Sequence, residues 1–197
     1  MRRIGLFAVL TFLALGLAAC PPRPPETVSW PDITFTHLQP IEFDVAEIRI
    51  LAPYREPIDP PHVGEQFPVS PSRAARNWAE DRLRAVGKRG TVTITIQESS
   101  AVEELLEPSG GLKGLLTKEQ SEKYLVVIAM EIKALDPVGP RSASATARTR
   151  KTNTVREDAT LDEREQIWYV LTKETMADFD AAMERQIRAT LGSFLKQ

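Results

Sequence analysis

The chain has 197 residues, with 25 Lys and Arg against 27 Asp and Glu and a formal net charge of −2. That balance argues against nucleic acid as a partner, because a nucleic-acid binder needs a basic surface to meet the phosphates. The single cysteine, Cys20, excludes a disulfide within the chain, and the length suits one domain around one core.

Residues 1–19 have the three parts of an export signal: a basic start at Arg2 and Arg3, an uncharged apolar middle and a small-residue exit at Ala18 and Ala19. The apolar run is too short to span a membrane, which takes roughly 20 apolar residues. Leu17, Ala18, Ala19 and Cys20 close that run and resemble a bacterial lipobox. The resemblance implies cleavage between Ala19 and Cys20, a diacylglycerol on the Cys20 sulfur and an acyl chain on its new amino group. No other cofactor is expected. Acylation accounts for an unpaired thiol in an exported chain. Several acyl chains, each contributing about 0.8 kcal/mol per buried CH2, anchor more firmly than one. Pro21 follows the cysteine, where lipoproteins kept in the inner membrane commonly carry Asp. The resemblance therefore implies the periplasmic face of the outer membrane.

Residues 20–40 hold Pro21, Pro22, Pro24, Pro25, Pro31 and Pro40. They read as the lipidated cysteine and a semi-rigid tether extending about 3.1 Å per residue. Trp30, Ile33, Phe35 and Leu38 are apolar enough to pack on the domain that follows, assigned to residues 41–197.

In residues 41–51, Ile41, Phe43 and Val45 alternate, then Ile48 and Ile50 alternate on the opposite parity. The spacing predicts one strand with a β-bulge near Ala46 and Glu47. A proline-rich loop follows over residues 52–69. Ser70 as cap and Pro71 at the first helical position open a helix, with Ala75, Trp78, Ala79, Leu83 and Val86 on one face and Gly87 closing it. Residues 91–97 alternate Val92, Ile94 and Ile96 with Thr91, Thr93 and Thr95, a strand with one wet face.

Residues 99–123 read as a long connection carrying Leu105, Leu106, Leu112, Leu115 and Leu116; connections of that length are often functional. Residues 124–135 form a strand with Val126, Ile128, Met130 and Ile132 inward. Residues 142–155 return as a polar strand with Ala143, Ala145 and Ala147 on one side, and Arg148, Arg150 and Lys151 suit a sheet edge. The last element is a helix over residues 161–195, opened by a Thr160–Glu163 capping box. Its drifting apolar stripe, from Trp168 to Phe194, predicts a bend near residues 172–175.

The order β-α-β-β-β-α, with a Thr face too polar to bury, predicts an α+β two-layer sandwich. It has a mixed four-stranded sheet, both helices on the Val92, Ile94 and Ile96 face, and the other face open.

No catalytic motif is present: no G-x-S-x-G, no P-loop and no H-E-x-x-H. His37 and His62 fall in proline-rich stretches and read as solvated, so no metal site is expected. The carboxylates Glu103, Glu104 and Glu107 read as a solvated loop. Asp162, Glu163 and Glu165 read as an acidic first helical turn favoured by the helix dipole. No catalytic residue is assigned, and the chain is expected not to be an enzyme.

The lipobox, proline tether and β-α-β-β-β-α order together resemble small Gram-negative outer-membrane lipoproteins. Two groups are the lipopolysaccharide-assembly lipoprotein and the auxiliary lipoproteins of ABC-type lipid transporters. Residues 161–165 with Trp168 and Tyr169 resemble a segment of small alphaproteobacterial lipoproteins. The resemblance implies an accessory or assembly subunit, held on the membrane by its lipid and binding another envelope protein or a lipid. The candidate contact residues are Thr91, Thr93 and Thr95 on the open face and the five leucines of the long connection. Two alternatives stay open. A small-ligand module predicts a cavity between helices and sheet. An envelope hydrolase predicts carboxylates and a histidine converging with shifted pKa values.

Overall fold

A computed structural model describes residues 29–107, 119–139 and 141–197. Ala19, Cys20, Leu112, Leu115 and Leu116 lie outside the described residues, so the lipidation site and three of the five leucines have no structural account here.

Among the described residues, six strands and two α-helices follow in the order β1 (Ile41–Phe43), β2 (Glu47–Leu51), α1 (Pro71–Arg82), β3 (Leu83–Ala85), β4 (Thr91–Leu105), β5 (Gln120–Asp136), β6 (Arg141–Arg156) and α2 (Leu161–Thr190). The main sheet has the order β2-β4-β5-β6, with β2 parallel to β4 and the other pairs antiparallel. Strands β1 and β3 form a second, small parallel sheet. The two-layer α+β sandwich with a mixed four-stranded sheet is therefore the observed architecture.

Residues 41–51 do not form one bulged strand. They split into β1 and β2, which pair with different partners. The parity change marks a break between two strands, because a shift of facing residues accompanies a change of sheet as readily as a bulge. Backbone bonds from Gly87 N–H to the Val45 carbonyl (2.9 Å) and from Ala46 N–H to the Arg89 carbonyl (3.1 Å) tie the two breaks together. Gly87 does not close the helix; it lets these backbones meet, since a Cβ there would stand 2.4 Å from the Asp44 carbonyl carbon.

Helix α1 starts where the sequence places it: the Ser70 side chain accepts from Arg73 N–H, and Pro71 takes the first turn. It stops at Arg82 because Leu83 is already extended, with φ −114° and ψ 133°. Leu83 is still buried, but as part of β3, and Val86 is exposed.

Strand β4 runs on to Leu105, eight residues beyond the expected end at Gln97. A register shift between Ile96 and Glu98 reverses the parity, so Ser99 and Ala101 continue the buried face. That bulge hides the second half of the strand from a period-2 reading.

Helix α2 carries the expected capping box: Thr160 Oγ1 accepts from Glu163 N–H, and Thr160 N–H donates to the Glu163 carboxylate at 2.8 Å. It is continuous to Thr190, and Leu191 and Phe194 are buried just past its end. It lies over β6 and β5, where the small side chains of Ala143, Ala145 and Ala147 line the core and allow close approach of the helix. Among the described residues, no helix is long and apolar enough to cross a membrane.

Both helices cover the face carrying Val92, Ile94, Ile96, Ile128, Met130 and Ile132, which join Trp78, Met176, Phe179 and Met183 in one cluster. The Trp78 ring meets the Phe179 edge at 5.0 Å between centroids. A second cluster fills the other end of the sheet, where Phe67 stacks on Trp168 at 4.9 Å beside Tyr124, Val126 and Leu171. Residues 30–38 form a strap across the helices. Ile33 and Phe35 are buried in the main core, and Trp30 donates to Glu165 (2.9 Å) and lies against Tyr169.

Candidate functional site

The strand register assembles the open face in rows across all four strands. Glu47, Thr91, Leu135 and Ser142 make one row, and Arg49, Thr93, Lys133 and Ser144 the next. Leu51, Thr95, Glu131 and Thr146 make the third. The first two rows border a hollow of about 590 Å3. Neighbouring strands lie about 4.8 Å apart, so Arg49 and Lys133 straddle Thr93 from the strands on either side.

The hollow is mixed in character. Leu135 is half exposed in it, and each cation is held by a carboxylate two residues away on its own strand. Arg49 meets Glu47 at 2.6 Å, and Lys133 meets Glu131 at 3.0 Å. The hydrogen bond to Arg49 holds the Glu47 carboxyl below its ordinary range and the Arg49 guanidinium above its own. Thr91, Thr93, Ser142 and Ser144 border the same space and add four hydroxyl-bearing side chains to its lining.

Of the sequence candidates, Thr91 and Thr93 line the hollow, and Thr95 sits one row beyond. Leu105, exposed, and Leu106, half-buried, stand at the opposite end of β4, roughly 45 Å along the strand at 3.3 Å per residue. The structure therefore does not bring threonines and leucines into one patch. Arg49, Lys133, Ser142 and Ser144 were not singled out by sequence, because only the pairing register sets them beside Thr93. The alternation on β2 and β5 shows which face they take but not which row.

The space between helices and sheet, where a small-ligand module would hold its cavity, is occupied by the Trp78, Met176, Phe179 and Met183 side chains. A hollow of about 410 Å3 lies instead between the strap and the outer side of α2, bordered by Asp32, Phe35, His37, Tyr169, Lys173 and Asp180.

His62 is not the solvated loop residue expected. Its backbone bridges to Val102 at the β4 edge, its side chain is 26% exposed, and its Nδ1 is buried 3.7 Å from Glu56 Oε1. Glu56 accepts from Ala101 N–H at 2.6 Å. Burial pushes its carboxyl up, against the opposing pull of the Ala101 N–H and of His62. Among the described residues this is the one carboxylate–histidine pair within 4 Å; His37 shares the hollow beside the strap with Asp32 and Asp180. The Glu56–His62 pair is packed beneath the loop, where a Cβ on Gly64 would stand 1.9 Å from Glu56 Oε2, and neither residue borders the hollows described above. No cluster of three or more metal-ligating side chains occurs among the described residues.

No family model matches the chain, and no curated protein matches it. Solved structures similar to this chain include a minor lipoprotein from Acinetobacter baumannii, at 14% identity and TM-score 0.39, covering 76% of this chain and 94% of that one. A Xanthomonas campestris protein of the DUF330 family is 10% identical with TM-score 0.34, covering 82% of this chain and 94% of that one. The PelC dodecamer from Paraburkholderia phytofirmans is 14% identical with TM-score 0.23, covering 77% of this chain and 92% of that one. At these scores the likeness carries no argument about function.

Proposed function

We propose that the chain is a non-enzymatic lipoprotein, anchored through acyl chains on Cys20 to the periplasmic face of the outer membrane. There it acts as an accessory subunit that binds another component of the envelope through its open sheet face. The observation that carries this reading is the contrast between the two sheet faces. One is filled by two helices, and the other leaves a hollow of about 590 Å3 lined by cations, hydroxyls and an apolar side chain. A concave surface with a few convergent polar groups is the default binding site of a fold.

A photocrosslinking amino acid at Thr93, introduced into the lipidated protein in intact envelopes, tests the reading. Arg76, exposed on α1, is the control position. A discrete adduct from Thr93 and none from Arg76 is the expected result. Equal labelling from both positions, or none from Thr93, overturns the reading. Cys20→Ser tests the address separately: the variant is expected to accumulate as precursor or soluble protein. Membrane fractionation of the processed variant would mean that something other than the lipid holds it.

A further inference from the structure

The hollow on the open face has a donor set more specific than a general contact surface requires. Arg49 and Lys133 supply two cations on either side of Thr93, and Ser144 extends the same row. Thr91 and Ser142 flank Leu135 in the row beside it. None of the four hydroxyls has a hydrogen-bond partner among the described residues. Hydroxyls on a sheet face commonly bond to water, but two in the row of the cations and two in the row beside it form a ready set of donors for a many-oxygened anion.

The two carboxylates in reach, Glu47 and Glu131, are the groups that an anion would displace. Both cations are exposed, and of the carboxylates Glu47 is exposed and Glu131 half-buried: Arg49 and Glu47 keep 59% and 51% of their side-chain surface, and Lys133 and Glu131 keep 63% and 21%. Exposed pairs of this kind are worth about 0–1 kcal/mol. Both cations can therefore turn from their own strand's carboxylate towards a ligand over Thr93 at small cost. A carboxylate ligand would offer two oxygens and use only part of this set. A phosphate ester offers three or more acceptor oxygens and a larger charge, and its organic portion has the half-exposed Leu135 side chain to lie against.

We infer that this hollow binds a phosphate ester, with Arg49 and Lys133 clamping the phosphate over Thr93 and the adjoining alkyl part of the ligand resting on Leu135. The inference rests on the open face being the contact surface, and it narrows that reading to one ligand chemistry. The phosphate can belong to a phospholipid headgroup or to a small soluble ester.

The test uses the mature lipidated protein in dodecyl maltoside micelles, with calorimetric titration of glycerol 3-phosphate and, separately, of micelles doped with phosphatidylglycerol. Saturable binding of either probe is expected. The Arg49→Gln/Lys133→Gln variant, changed only at exposed side chains, is expected to bind at least 10-fold more weakly. Arg150→Gln, on the same face but outside the hollow, is expected to bind like the parent. Thr93→Val is expected to weaken binding several-fold, an effect that diffuse charge attraction would not produce. Binding of both probes points to a soluble ester or a headgroup alone, and binding only of doped micelles points to a membrane lipid. Three results overturn the inference: no saturable binding of either probe, an equal loss in Arg150→Gln, or no loss in the double variant. A Thr93 photoadduct with a protein, alongside any of these three, would leave the contact-surface reading standing and remove the phosphate site alone.

Discussion

Arg82 closes α1 with its side chain 3% exposed, and three elements converge on it. It donates to Asp180 Oδ1 at 2.7 Å and to Glu184 Oε2 at 2.6 Å on α2, and to the Gln39 carbonyl at the end of the strap. Trp78 Nε1 donates to the same Asp180 oxygen at 2.8 Å. Replacing Arg82 with Met keeps the stem but leaves Asp180 without its cation, while Glu184 keeps only the exposed Arg188 at 2.6 Å. Breaking a buried pair from one side costs about 3–5 kcal/mol. Asp180 and Glu184 retain 14% and 30% of their side-chain exposure, so water recovers part of the loss and about 3 kcal/mol is expected. For a domain of this size that lowers the melting temperature by roughly 6–12 °C. Urea denaturation of the mature chain followed by circular dichroism reads the change. Adding Asp180→Asn to Arg82→Met removes one stranded charge while keeping an oxygen for Trp78, and it should return about 1 kcal/mol or more. A cost below about 1 kcal/mol for Arg82→Met, or a double variant no better than the single, would refute the view that the guanidinium is what makes the Asp180 carboxylate tolerable here.

Three further outcomes are expected. Glu56→Gln keeps an acceptor for the Ala101 N–H but cannot ionise. Burial raises the Glu56 carboxyl above its ordinary 4.5, so protonation favours the folded state. The stability this group contributes is full below the unfolded value and is lost as pH rises through the folded one. The wild type should therefore lose stability relative to Glu56→Gln as pH climbs from 4.5, with His62 and Glu65 the charges facing the group. A pH-independent difference in urea midpoints would contradict this. Gly64→Ala drives a Cβ into the Glu56 carboxylate and should cost about 1–3 kcal/mol. In a Glu56→Ala background the same change should cost less, as a double-mutant cycle in urea would show. Trp168 Nε1 is buried without a partner among the described residues, so Trp168→Phe removes an unsatisfied donor as well as ring area. Trp78→Phe instead severs a bond to a charged acceptor and should cost at least about 1 kcal/mol more, measured by the same denaturation.

The elements that sequence alone determined are those whose signals are local. The Ser70 cap with Pro71, the Thr160–Glu163 capping box, the alternation over residues 91–96 and the stripe of α2 all act within a turn or two of chain. Each is visible where it operates. The two-layer architecture followed because a threonine face and an isoleucine face on one strand leave a single place for the helices. What required tertiary structure is whatever a distant backbone decides. The parity change near residue 46 reads equally as a bulge or a break, and the partners β3 and β4 made it a break. The bulge after Ile96 reverses facing in mid-strand, so the second half of β4 lacks a continuous alternation and is defined by its pairing with β5. Glu56 and His62, six positions apart among prolines, gained their contact only when the loop closed on the β4 edge at Ala101 and Val102. The open-face hollow follows the same rule. Thr91 and Thr93 were legible as its floor from one strand's alternation. Arg49, Lys133, Ser142 and Ser144 became their neighbours through register alone, because side-chain period selects a face while pairing between strands selects the row.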